Sequence, residues 1–376
     1  MTGLAVRASA GQAGGTLRHP SPDLETVHTM VDTVGGREAA GTARARRTAA
    51  RRAGRGPGLP PGGGWAEAAG AFGRRHRLAP YLLLLPGLAA IALVLIWPTV
   101  QIALYSLQNF GEAQIVGTAP AQWVGFSNFS TTLHDPEFWL SLRTTVIFAA
   151  IVVTLTMVIG TLVGLLLNRL GKKMATFVSG AALVAWATPQ VAASVIFVWF
   201  FSTDGGIVNW ALTRLPSWLG GGAHWAQYNW STSGAVPAYT IVTILVVWTS
   251  FPFIAVTVLA GLKSIPAELY ESAWVDGAGP WQGFRKITYP MLKPIFLILV
   301  LLSVIWDFNV FTQTYIVTGE LGNRDEYNLA LYSYSQAFQV PPEVGLGSAL
   351  ALILTIILLI ITIGYIRANI KQGALA

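Results

Sequence analysis

Asp307 is the one acidic residue inside any of the long apolar stretches of this chain. A carboxylate at the centre of a bilayer-spanning helix costs about 2.5–3.5 kcal/mol on insertion scales, so such a residue belongs beside a polar cavity and is a functional candidate. Ser303, Trp306, Asp307 and Val310 stand at i, i+3, i+4 and i+7, which places them on one face if the segment is helical. An indole plane next to a hydroxyl and a carboxylate suits a sugar, which offers an apolar C–H face and a rim of hydroxyls. Thr249, Ser250 and Phe253 form a second cluster of the same character, after Trp248 and beside Pro252.

Other chemistries are excluded or unsupported. Zero Cys rules out a disulfide framework, a Cys-ligated zinc or iron–sulfur centre and a thiol nucleophile. No Gly-x-x-x-x-Gly-Lys-Ser/Thr loop is present to cradle phosphates, and neither His-Glu-x-x-His nor Gly-x-Ser-x-Gly occurs. The five His lie outside the apolar stretches. An intramembrane enzyme built on Asp307 would need a second carboxylate or His at membrane depth to share proton transfer, and the sequence offers none. No catalytic or metal-binding constellation is expected.

The elements that must position these residues are membrane helices. Hydrophobic residues make up 53% of the 376 and charged residues 11%, less than half of the roughly 25% usual in soluble chains. Continuous apolar runs of about 20 residues, enough to cross roughly 30 Å of hydrocarbon, extend from Tyr81 to Leu107, Thr144 to Leu167, Phe177 to Phe201, Ala238 to Leu262, Ile295 to Val317 and Leu346 to Ile366. They do not alternate as barrel strands would. The expected fold is an all-α integral membrane protein with six transmembrane helices. Gly160 and Gly164 form a small-xxx-small pair that permits close helix packing.

Basic residues set the orientation. Arg74, Arg75 and Arg77, then Arg169, Lys172 and Lys173, then Lys263, Arg285, Lys286 and Lys293, and finally Arg367 and Lys371 all fall on one side of the six spans. The opposite loops carry one basic residue each, Arg143, Arg214 and Arg324. Both termini are therefore expected in the cytosol. Residues 1–78 hold 12 Arg, no Lys and five acids, and account for the whole net charge of +7. Rich in Gly, Ala and Pro and without apolar periodicity, this arm reads as a disordered cytosolic tail. Its arginines lack interleaved aromatics, so nucleic acid is not an expected partner. The outer loop from Ser202 to Ser233 carries Trp210, Trp218, Trp225 and Trp230, an interfacial aromatic belt or, alternatively, a stacking vestibule for a sugar.

The connection from Lys263 to Lys293 reads as helix, turn, helix. Ser264 is placed to cap a first helix with Pro266 in its first turn, Gly277 and Gly279 interrupt it, and Pro280 starts a second. Leu269, Tyr270, Ala273 and Trp274 give that first helix an apolar face in water, which calls for a protein partner.

Glu271-Ser272-Ala273, Gly277 after three residues, and Ile287-Thr288-Tyr289-Pro290 after nine more resemble the EAA loop of ATP-binding-cassette importer permeases. Ser272 and Tyr289 depart from its Ala and Leu. The run from Ile265 to Gly279 is similar to the carbohydrate branch of that family, the maltose-type permeases, and the likeness covers about residues 80–370. The resemblance implies a permease domain over 79–370 whose loop 263–293 supplies cytosolic coupling helices seated on a separate ATPase. Glu271, Ala273, Asp276, Gly277, Ala278 and Gly279 are then the coupling residues, with Glu271 the polar contact and Gly277 the tight turn. That branch places sugar contacts around a Trp-x-x-x-Pro-aromatic stretch, here Trp248 to Phe253, and an aromatic-Asn-Phe-Asn stretch, here Trp306-Asp307-Phe308-Asn309. Thr249, Ser250, Phe253, Ser303, Trp306, Asp307 and Asn309 are accordingly the expected substrate pathway. Asp307 stands where the branch has Asn, which implies a different sugar or a helix-packing hydrogen bond.

The resemblance further implies a second permease subunit, two ATPase subunits that use ATP and Mg, an extracytoplasmic sugar-binding protein, and residence in the bacterial cell membrane, with no cofactor held by this chain and no enzymatic activity of its own. The expected solute is a di- or oligosaccharide; a polyol or a glycerol phosphate is the alternative.

Overall fold

Apolar runs long enough to cross a bilayer satisfy their backbone groups internally as helices, and the computed structural model, which describes residues 83–319, 321 and 324–371, shows them. Helix α1 (Leu83–Tyr105) leads through a two-stranded antiparallel hairpin, β1 (Gln108–Asn109) with β2 (Gln122–Trp123), to a short α2 (Ser127–His134). The long α3 (Pro136–Arg169) follows, then α4 (Lys172–Ala187), α5 (Gln190–Phe200), the outer-loop helix α6 (Ile207–Arg214) and α7 (Ala235–Lys263). The inner connection forms α8 (Ala267–Val275) and runs into α9 (Pro280–Phe308), after which come α10 (Thr312–Val317), α11 (Leu329–Phe338) and α12 (Val344–Lys371). The Arg-rich arm assigned to residues 1–78 lies outside the described residues.

Five of these helices are long and apolar enough to span a membrane, and a sixth span exists only as a bent pair. The third expected span is not continuous. Helices α4 and α5 meet at 95°, because Pro189 lacks an N–H and its ring disfavours the helical conformation of the residue before it. Thr188 accordingly sits at φ −66°, ψ 130°. The fifth expected span also differs. Its helix starts earlier, at Pro280, and stops at Phe308, so the segment read as running to Val317 is two helices with a break at residues 309–311.

Helix α7 is the hub. Over half of its most apolar window is buried, 56% against 28% for α3 and α9. It packs along α3 through the small-residue pair: a Cβ on Gly160 would lie 2.6 Å from the Ile254 Cβ, and one on Gly164 would lie 2.9 Å from the Ala255 carbonyl oxygen. Gly261 does the same against α9, where a Cβ would meet Ile295 Cδ1 at 2.6 Å and Leu292 Cδ2 at 2.7 Å. One apolar core joins Phe148 and Val152 of α3, Phe197 of α5 and Ile241, Val242, Leu245, Val246 and Val247 of α7; a second joins Ile254, Val258 and Leu262 to Leu292 and Leu299.

The outer loops are folded. Buried Asn209 donates to the Tyr228 carbonyl at 2.9 Å and accepts from the Trp230 indole N–H at 2.7 Å. Trp225 and Trp230 stack at 5.3 Å, so these two tryptophans hold the loop together, while Trp218 is exposed and Trp210 carries the Arg214 guanidinium over its ring at 4.3 Å. Asp135 caps α3 by accepting the Glu137 N–H and also accepts the Tyr332 hydroxyl. Burial first, then the hydrogen bond to Asp135 and its charge, hold that phenol well above its usual range.

Candidate functional site

The two breaks in the helices open onto one cavity of about 460 Å³, within the roughly 300–1,000 Å³ usual for small-molecule sites. Trp186, Thr188 and Gln190 line it from the α4–α5 break, and Ile305, Trp306, Asp307, Asn309, Val310 and Gln313 line it from the α9–α10 break. Val246, Thr249 and Ser250 of α7 complete the wall. Irregular backbone at membrane depth is tolerated where it lines a cavity rather than lipid, and paired discontinuous helices are a recurrent way to build a solute site.

Each break has its freed backbone groups secured. Thr188 donates from Oγ1 to the Val184 carbonyl at 2.8 Å, and the Pro189 carbonyl accepts the Ala193 N–H at 3.0 Å. At the second break Asn309 donates from Nδ2 to the Ile305 carbonyl at 3.0 Å. Asn328 donates from Nδ2 to the Val310 carbonyl at 2.6 Å and to Thr314 Oγ1 at 3.1 Å.

Of the seven residues expected on the substrate pathway, Thr249, Ser250, Trp306, Asp307 and Asn309 line the cavity. Phe253 does not. It stacks on Trp186 at 5.7 Å and meets Trp306 edge-on at 5.5 Å, fastening two of the wall's indoles together. Ser303, buried one turn before Asp307, also falls outside the lining. Trp186, Thr188 and Gln313 are lining residues that the sequence did not yield, and Gln190, which beside Pro189 reads as an interhelical polar group, lines the cavity too. The Thr188-Pro189-Gln190 triplet carried a usable signal, since a proline flanked by polar residues inside an apolar run marks a break that needs a polar surround.

Two largely buried side chains turn polar atoms to the cavity without a partner within the described residues. Asp307 is 4% exposed and Gln313 is 5% exposed, and neither makes a side-chain hydrogen bond or ion pair within the described residues. Asp307 therefore does not serve as a packing hydrogen bond between helices of this chain. It sits in the last turn of α9 rather than midway along a span. No Lys, Arg or His lines the cavity. Among the described residues no group of three or more His, Asp or Glu could hold a metal ion.

The inner connection is built on the opposite plan. Ser264 does not cap α8: it ends α7, donating from Oγ to the Gly261 carbonyl at 2.7 Å, and Pro266 occupies the position before α8. Proline fixes its own φ and favours the entry to a helix, so the start is set two residues later than the serine suggested. Helix α8 closes with a six-to-one bond from the Ala278 N–H to the Ala273 carbonyl at 2.9 Å, and a five-to-two bond from the Gly277 N–H to the Trp274 carbonyl at 3.0 Å. This Schellman turn requires a left-handed residue, and Gly277 supplies it at φ +78°. Pro280 opens α9 behind Gly279, whose N–H donates to Gln282 Oε1 at 3.2 Å.

The loop is welded to the bundle. The Tyr270 hydroxyl and Thr288 Oγ1 are 2.8 Å apart, and Tyr270 and Ile287 pack with Ile254, Val258, Leu262 and Leu292. The apolar face expected on α8 is thus divided: Tyr270 and Ala273 are half-buried against this chain, while Leu269 and Trp274 are exposed, with Val275 and Trp281 beside them in sequence. Glu271 and Asp276 are exposed, and neither carboxylate has a partner within the described residues.

Residues 157–374 match the family described as the binding-protein-dependent transport system inner membrane component. The chain is 40% identical over 311 residues to the diacetylchitobiose uptake system permease protein of Streptomyces coelicolor, covering 83% of this chain and 92% of that one. It is 28% identical over 289 residues to the trehalose/maltose transport system permease protein of Thermococcus litoralis, covering 77% and 92%. Among solved structures, a bacterial ABC transporter that imports the acidic polysaccharide alginate matches with a TM-score of 0.65 at 21% identity, covering 79% of this chain and 96% of that one.

Proposed function

This chain belongs to the family of inner membrane components of binding-protein-dependent transport systems, and we propose that it is the permease subunit of an ATP-driven importer for a di- or oligosaccharide. The observation that carries the solute class is the cavity. Two indoles flank hydroxyls, amides and one carboxylate there, a combination that meets both the C–H faces and the hydroxyl rim of a sugar. Thr249, Ser250, Trp306, Asp307 and Asn309 contact the solute directly; Phe253 holds the two indoles in place, and Ser303 packs behind. The likeness to sugar permeases of other organisms supports the same solute class.

In this reading the chain forms half of the translocation pathway. It works with a second permease subunit, two ATPase subunits that consume ATP with Mg, and an extracytoplasmic sugar-binding protein, in a bacterial cell membrane with both termini cytosolic. It performs no chemical conversion itself. Helix α8 sits in a groove of one ATPase through Leu269, Trp274 and the free carboxylate of Glu271, while Gly277 fixes the turn with Ala273, Asp276, Ala278 and Gly279. Because α8 is bonded to α9 and packed on α7, closure of the ATPases moves both helices as a rigid body and changes which side of the membrane the cavity faces.

The test is uptake into vesicles holding the reconstituted assembly, with ATP inside and the binding protein outside. Competition by neutral disaccharides against labelled solute is expected to abolish uptake, whereas glycerol 3-phosphate and polyols leave it unchanged. The reverse pattern would sink the sugar assignment, and full-rate uptake by this chain alone would sink the ATPase coupling.

A further inference from the structure

No Lys, Arg or His lines the cavity around Asp307, so among the described residues the carboxylate faces no cationic side chain; the start of α5 at Gln190 contributes only the partial positive charge of a helix N-terminus. The carboxylate is 4% exposed and unpaired within the described residues. It lies in the last turn of α9, where helix carbonyls present the negative end of the dipole. Gln313, equally buried, contributes a neutral amide that can donate or accept but cannot balance charge. Trp186 stacks on Phe253 and Trp306 meets it edge-on, and the aromatic surface they leave to the cavity suits the C–H groups of a solute.

The carboxylate accepts only when ionised, and a solute that brings donors, whether hydroxyls, amide N–H groups or an ammonium, binds that form best. A sugar carrying its own carboxylate, sulfonate or phosphate would set like charges together in a low-dielectric cavity with no counter-charge from this chain between them.

Resting on the sugar-importer reading above, we propose that Asp307 is a specificity-determining residue: it makes the cavity a filter of one sign, admitting neutral, N-acylated and amino sugars and rejecting acidic ones. The selection is exerted inside the membrane, so it acts after, and independently of, any choice made by the external binding protein.

The experiment measures equilibrium binding to the purified permease–ATPase assembly in the absence of binding protein. The probes are cellobiose and maltose, each in neutral, amino and uronate form. The wild-type assembly is expected to favour the neutral and amino forms over the uronate by about tenfold or more. In Asp307→Asn the uronate gap narrows to about twofold and the amino preference disappears, because the amide keeps the shape and removes the charge. Asp307→Glu, which keeps the charge, retains the discrimination, and Asp307→Ser, which removes it in a smaller side chain, takes the place of the Asn form if that is poorly stable and is expected to narrow the uronate gap in the same way. Unchanged discrimination in Asp307→Asn overturns the filter and leaves the sugar reading standing. Loss of assembly in Asp307→Asn with assembly kept in Asp307→Glu also overturns the filter, since that would mark Asp307 as the partner of a cation on the second permease subunit. Failure of both neutral disaccharides to bind the wild-type assembly overturns the sugar reading and the filter together.

Discussion

The inner connection and the cavity treat their polar groups in opposite ways. Around α8 the turn is closed by two backbone bonds, the Tyr270 hydroxyl is bonded to Thr288, and Gly279 is bonded to Gln282. Asp307 and Gln313 turn polar atoms to the cavity without partners within the described residues. A satisfied polar network rigidifies, whereas an unsatisfied one stores binding capacity. The contrast teaches that one end of this molecule is built to be moved as a block and the other to be completed by something it does not itself contain. Substitutions should divide accordingly: at the bonded positions of the connection stability and coupling fall together, at its exposed positions coupling alone falls, and in the cavity function falls while stability holds.

The largest effect is expected from Gly277→Val, which forces a β-branched residue into the left-handed region at a cost of about 2 kcal/mol or more. Thermal unfolding should shift down, and uptake per ATP hydrolysed should collapse; a variant with normal coupling would show that the turn is not part of the block. Next is Trp306→Ala. Loss of one stacking surface removes about 0.5–1.5 kcal/mol of solute interaction, so vesicle uptake should drop by up to about tenfold while the melting temperature stays within a few degrees.

Tyr270→Phe deletes a single hydroxyl and is expected to destabilise by about 1 kcal/mol, readable as a lower urea midpoint together with a reduced transport-to-ATP ratio. Gln313→Leu should behave differently: no hydrogen bond within the described residues is lost, so stability should stay within about 1 kcal/mol, yet uptake should fall. If Gln313→Leu destabilised as Tyr270→Phe does, the division between the two regions would fail. The smallest effect is expected from Trp274→Ala, an exposed residue whose loss leaves the isolated permease unaltered and weakens only ATPase association, measurable by pull-down of the assembled subunits.

The legibility of the two regions in the sequence follows the same division. The inner connection depends on local rules: Gly at a left-handed position, Pro at the start of a helix, apolar spacing within two turns. Its helix–turn–helix form could therefore be read directly, and only the role of Ser264 was misread, because Pro266 outranks it in fixing where α8 begins. The spans of α1, α3, α7 and α12 were legible for the same reason, since hydrocarbon thickness sets one length and one composition.

The cavity was legible only in part. Asp307 stood out by cost, and Thr249, Ser250 and Trp306 by spacing. The break after Phe308 has no proline or glycine at residues 309–311 to announce it. It is held by Asn328, eighteen residues further on, through its bond to the Val310 carbonyl, and a tertiary bond of that kind leaves no local mark. Gln313 consequently looked like the interior of a span. The break at Pro189 could have been read, and treating that run as one helix hid Thr188 and made Gln190 look like a packing group between helices.

One rod has the two regions as its ends. Helix α9 starts at Pro280, against the turn of the inner connection, and its final turn holds Asp307; its 29 residues amount to about 43 Å at 1.5 Å rise per residue. A tilt of a few degrees applied at its foot sweeps its tip sideways by a few ångströms, about the width of a hydroxyl group, so in the proposed reading the grip on a captured ring is tightened or released by leverage alone, without any signal passing from side chain to side chain.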